Sequence, residues 1–135
     1  MIDFFGQPEH GNTRPFSRAT RAAGLVFVSG HSAPHDPTRG IDRGATAQEQ
    51  VRNALAFVAG ILHEAGSSLD RVVQVTMLIT DSADYAACNT EYVKHFPNGL
   101  PARHTARFGV PTDAKVAFSC IALAGPYPDE VTPAR

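Results

Sequence analysis

The chain has 135 residues, 43% hydrophobic and 19% charged, with a formal net charge of −1. That length fits one domain, 1–135, with a buried core, and so balanced a charge gives no reason to expect nucleic acid or an anionic membrane as partner. Cys88 and Cys120 are the only cysteines, without a CxxC pair, so neither a disulfide scaffold nor a zinc site is indicated.

The opening stretch, Met1 to Thr13, mixes Gly, Pro, Asn and His and is predicted to be irregular. Its Met1 to Phe5 start lacks the basic region and apolar run expected of a signal peptide. Arg18 to Ala33 reads as two strands split by Gly24, the second carrying the buried-strand run Leu25-Val26-Phe27-Val28. Pro34, Pro37 and Gly40 hold a loop open to about Gly44. Thr46 and Glu49 form a capping box, in which hydroxyl and carboxylate each satisfy an orphan backbone N–H. Val51, Leu55, Val58 and Leu62 then recur at helical spacing, with Ala54, Phe57 and Ile61 widening the stripe and Gly66 ending it.

Val72 to Thr80 is the next strand. Asp81 or Ser82 caps a second helix with Tyr85, Tyr92 and Phe96 on one side, stopped by Pro97-Asn98-Gly99. Two strands follow, about Ala102 to Phe108 and Lys115 to Ala124, and then an extended tail from Gly125. No apolar run approaches the roughly 20 residues of a membrane helix. The order β-β-α-β-α-β-β predicts an α+β domain with two helices on one face of the sheet. Val73, Val75, Met77, Ile79, Ala117 and Ile121 are assigned to the other face, which therefore needs a cover, and a second copy of the chain is the simplest one.

Pro15-Phe16-Ser17, Leu25-Val26-Phe27-Val28-Ser29-Gly30, Ala65-Gly66-Ser67-Ser68-Leu69 and Pro101-Ala102-Arg103 occur in the order typical of the RidA (YjgF) family. Thr80-Asp81, Asn89 and Tyr92 fall at matching places, so the chain resembles that family, also called endoribonuclease L-PSP, from about Pro15 to Ala124. The resemblance implies a chorismate-mutase-like fold with a mostly antiparallel sheet, in a cytoplasmic homotrimer whose sheets surround a central barrel. It also implies clefts between subunits in which imines or enamines are hydrolysed to a 2-oxo acid and ammonia, with no metal or organic cofactor.

Arg103 matches the arginine that holds the substrate carboxylate, a task suited to a planar, permanently charged fork. The alternative for Arg103 is a solvated side chain or a structural ion pair. Ser29 and Gly30 match the strand end that lines the cleft, where glycine lets a ligand approach the main chain. Asn89 matches a helix residue that shapes it. Phe16 stands where many members have tyrosine, and Thr105 where the deaminases often have cysteine. Ser119 aligns with the glutamate thought to orient water, and a serine has no useful pKa for that work near neutral pH.

His31 follows Ser29 by two, so on a regular strand both face the same way, and its imidazole is a candidate substitute for the missing acid. The alternative is a polar lining residue. His104 is expected to face away from Arg103, and Cys120 to alternate away from Ser119 into the core. His10, His63 and His95 show no metal-ligand spacing. The leading expectation is a deaminase of a small imine or enamine carboxylate, and the alternative a trimer that binds small carboxylates without chemistry. The charge balance and the lack of an aromatic-plus-basic strand pattern count against a ribonuclease.

Overall fold

Residues 1–7 and 14–128 are described by a computed structural model of the chain, and His10 lies outside them. Six strands and two α-helices follow one another as β1 (Asp3–Phe5), β2 (Ala19–Ala22), β3 (Leu25–Ser32), α1 (Ala47–Glu64), β4 (Val72–Ile79), α2 (Tyr85–Tyr92), β5 (Ala102–Arg107) and β6 (Val116–Leu123). They build one sheet in the order β1-β2-β3-β6-β4-β5. Every neighbouring pair is antiparallel except β4 and β5, which run parallel. The result is the expected α+β architecture with one strand more. Asp3–Phe5 was expected to be irregular but pairs with β2, Phe4 opposite Thr20. Three residues are too few to show an alternation, so only their partner strand makes them a strand.

The β2–β3 hairpin closes on Ala23 and Gly24, with Ala22 opposite Leu25. Both turn residues have positive φ, 53° and 76°, as a two-residue type I′ turn requires. Gly24 tolerates this freely. Ala23 carries a Cβ into the left-handed region.

At the start of α1, Thr46 Oγ1 accepts from the Glu49 N–H at 3.1 Å. The Glu49 carboxylate accepts the Thr46 hydroxyl instead of a backbone N–H, so the capping box forms only in part. At the other end Gly66 (φ 81°) reverses the chain, with the Ser67 N–H bonded back to the Leu62 carbonyl at 2.7 Å. Asp81 takes the Ala83 N–H at 2.9 Å and starts a 3₁₀ turn, Ser82–Asp84, that leads into α2. Glu91 of α2 is buried but paired, 2.8 Å from His95 Nε2 and 3.6 Å from Arg52 of α1.

Both helices cover the same face. Val51, Leu55, Val58 and Leu62 of α1 and Tyr92 of α2 are buried in one core with Val26, Val28, Val75, Met77, Ile79, Phe118 and Cys120. This corrects the face assigned to β4. Val75, Met77 and Ile79 point at the helices, while Val73 sits at an irregularity between Val72 and Gln74 that shifts the alternation. Ala117 and Ile121 of β6 do lie on the uncovered face, as expected, and Phe4, Phe27, Leu25, Leu123 and Leu78 join them there in place of Val75, Met77 and Ile79. Phe4, Phe27 and Leu123 are exposed, so the case for a second cover stands largely on side chains the sequence reading did not name.

Relieving the turn should stabilise the fold. Ala23→Asn, which places a residue tolerant of positive φ before Gly24, is expected to add about 1 kcal/mol, read as a higher thermal midpoint. A midpoint that does not rise would show that Ala23 carries no strain.

Candidate functional site

Parallel pairing sets Arg103 of β5 opposite Val75 of β4, and Val75 faces the helices. Arg103 therefore lies on the helix side, at the edge of the sheet. There α2 presents Tyr85, Asn89 and Tyr92, spaced i, i+4 and i+7 on one face. The guanidinium carbon sits 4.7 Å from the centre of the Tyr92 ring and 5.8 Å from that of Tyr85, and Nη2 donates to Tyr85 Oη at 3.3 Å. A guanidinium so placed over a ring keeps further N–H donors for another partner. No carboxylate among the described residues forms an ion pair with it.

Arg103, Asn89, Tyr92, Val93, Leu100 and Pro101 line an open hollow of about 370 Å³, a size suited to a small ligand. Two polar atoms of its lining residues, Asn89 Oδ1 and Tyr92 Oη, are buried without a hydrogen-bond partner among the described residues. Burial pushes the Tyr92 phenol up to about 12, so it stays protonated. Tyr85 behaves in the opposite way. A hydrogen bond from Asn89 and then the Arg103 charge hold its exposed phenol below the ordinary value. Cys120 is buried on the helix side as expected, its thiol pushed up to about 12 by desolvation.

The other predicted site residues divide. Thr105 stands opposite Met77, on the same side of β5 as Arg103. Ser29 and Gly30 form a bulge: Val28 pairs with Cys120 and His31 with Phe118, so the two residues between them face Ser119 alone. The extra residue turns His31 to the helix side, away from Ser29, which corrects the expectation that they share a face. The His31 ring packs edge-on against Phe57 of α1 at 5.4 Å, and its Nε2 lies 3.1 Å from the Arg18 carbonyl. Desolvation lowers its pKa and favours the neutral ring.

Ser29 Oγ donates to the Ser17 carbonyl at 2.6 Å. Ser29, Ser17, Phe16, Phe4 and Phe27 line a second hollow of about 350 Å³. Ser119 and His104 both pair with Thr76, which places them in one row on the uncovered face. His104 thus points away from Arg103, as expected. In a single chain the candidates form two groups. Arg103, Thr105 and Asn89 gather at β5, and Phe16, Ser29, Gly30 and Ser119 lie at or near β3 and β6. Three strand spacings, roughly 14 Å, separate β3 from β5. Tyr85 is the site residue that sequence reasoning missed. Its position one turn before Asn89 was the available signal.

The family model described as endoribonuclease L-PSP matches residues 8–124. The chain belongs to this family, the YjgF/RidA family. A mitochondrial member, protein mmf2 of Schizosaccharomyces pombe, is 38% identical over 112 residues, covering 80% of this chain and 86% of that one. Reactive Intermediate Deaminase A, chloroplastic, of Arabidopsis thaliana is 34% identical over 109 residues, covering 80% of this chain and 58% of that longer one. Among solved structures, a YjgF family member from Neisseria meningitidis matches with a TM-score of 0.77 at 28% identity, covering 93% of this chain and 97% of its own. Yeast Mmf1 matches with a TM-score of 0.78 at 26% identity, covering 93% and 100%. These YjgF/RidA relatives include organellar proteins, so family membership does not specify a compartment. No helix among the described residues is long and apolar enough to cross a membrane.

An unpartnered buried hydroxyl should be dispensable for folding. Tyr92→Phe is expected to unfold in urea at the same midpoint as the parent or higher, with a gain of up to about 1 kcal/mol. A clear loss of stability would mean that the Tyr92 hydroxyl has a structural partner after all.

Proposed function

We propose that the protein is a hydrolytic deaminase of small imine or enamine carboxylates. Water adds to C2 of R–C(=NH)–COO⁻, the C–N bond breaks, and a 2-oxo acid and ammonia leave. An enamine first takes a proton at C3 and gives one up from nitrogen to become the imine. The observation that carries this reading is the Arg103 guanidinium, set over the Tyr92 ring with no acidic partner among the described residues, in a hollow of ligand size. A bidentate carboxylate is the natural complement to such a fork. The deaminase name of the Arabidopsis relative supports the same chemistry.

The proposed working unit is a homotrimer with each cleft completed between subunits. Two features support it: the candidate residues are split between distant strands, and Phe4, Phe27 and Leu123 are exposed on the uncovered face. We assign it to the cytoplasm, where the free thiols Cys88 and Cys120 suit a reducing milieu. Charge balance favours a small acid over a polynucleotide.

A second reading, a trimer that binds small carboxylates without turning them over, is favoured by one observation. Ser119 brings a hydroxyl where a proton-transfer acid is expected, and His31 is turned against Phe57 instead of supplying one.

Ammonia release from 2-iminobutanoate separates the two. The parent should exceed the spontaneous rate, and Arg103→Ala should weaken binding of 2-oxobutanoate by about 2 kcal/mol or more. Binding of 2-oxobutanoate with no catalysed ammonia release would make it a binding protein. Sedimentation should give a trimer for the parent and smaller species for Phe27→Asp. A parent that runs as a monomer at micromolar concentration would rule out the shared cleft.

A further inference from the structure

Tyr85 lies outside every motif of the resemblance, yet it is bonded directly to the residue on which the proposed function rests. Its phenolic oxygen accepts from Arg103 Nη2 at 3.3 Å. A guanidinium carries no acceptor, so the proton of Tyr85 cannot be given to Arg103. That proton points away from the Arg103 nitrogen and is open to an acceptor seated beside the guanidinium. Two of the three groups on this face of α2, Tyr85 and Tyr92, contact the guanidinium, so a carboxylate seated on its fork lies beside the Tyr85 hydroxyl.

We propose that Tyr85 is a specificity-determining residue, donating its hydroxyl proton to an oxygen or nitrogen acceptor on C2 of the bound acid. It thereby selects 2-oxo and 2-imino acids over plain alkyl carboxylates. This rests on the carboxylate reading of Arg103 and adds the substrate feature that Arg103 alone cannot sense. A fork that holds only the carboxylate binds butanoate and 2-oxobutanoate alike. A neighbouring donor that needs a C2 acceptor tells them apart, because with butanoate it faces a methylene group. The phenol also strengthens as a donor when its own oxygen accepts the charge-assisted hydrogen bond of Arg103.

Calorimetric affinities for 2-oxobutanoate and butanoate, measured on the parent and on Tyr85→Phe, test this. The phenylalanine keeps the ring beside Arg103 and removes only the hydroxyl, at a position 44% exposed where the fold does not need it. The parent should prefer 2-oxobutanoate by roughly three- to tenfold, the size of one net hydrogen bond. Tyr85→Phe should lose that preference through weaker binding of 2-oxobutanoate, with butanoate unchanged. A parent without preference, or a variant that keeps it, overturns the assignment and leaves the carboxylate site standing. Equal weakening of both acids also overturns it, because the hydroxyl would then serve only to position Arg103. If the parent binds neither acid, the carboxylate reading itself fails and the role of Tyr85 falls with it.

Discussion

Parallel pairing of β5 with β4 decides the direction of Arg103, and the candidate site is built on that direction. In register with Val75, the arginine cannot reach the uncovered face. It is laid on the aromatic surface of α2, where its guanidinium sits over Tyr92 and Tyr85 meets one nitrogen. The contact joins the edge strand to the second helix, so packing that completes the core also orients the cation. Shifting β5 by one residue would exchange Arg103 with His104 and leave α2 facing an imidazole on a different stem.

A second constraint comes from the bulge at Ser29 and Gly30. One extra residue reverses the faces that follow it, burying His31 against Phe57 while Ser29 stays bonded to Ser17. The imidazole thereby leaves the group of candidate residues and becomes part of the packing between β3 and α1, with a lowered proton affinity. Bulges are common where a strand must re-aim a side chain, and this one separates two residues that a regular strand would pair.

The site also carries a local cost. Tyr92 Oη and Asn89 Oδ1 are removed from water with no hydrogen-bond partner among the described residues. The same burial keeps the Tyr92 phenol protonated, whereas the exposed Tyr85 phenol is drawn the other way by Asn89 and Arg103 beside it. Two tyrosines on one helix face thus differ in character because one is covered and the other is not.

Most of the fold could be read from the chain. The period of Val51, Leu55, Val58 and Leu62, the Thr46 cap, the reversal at Gly66 and the strand runs around Val26 and Met77 are local patterns, and each appears where it was expected. Arg103 as a candidate anion ligand and Cys120 as a core thiol were legible for the same reason, one from its motif and one from simple alternation. Other features depend on partners distant in sequence. Asp3–Phe5 is a strand only because β2 lies beside it, and Val75 faces the helices only because an irregularity before it resets the count. The turning of His31, the coupling of Tyr85 to Arg103 and the separation of Ser29 from Arg103 follow from bulges, register and strand order, none of which leaves a periodic mark. The sequence by itself determined the elements, their caps and their buried stripes, because these are settled by neighbours within a few residues. Only the tertiary structure decided which faces the functional side chains occupy, because a single inserted residue or a parallel partner reverses a face without changing the local pattern that predicts the strand.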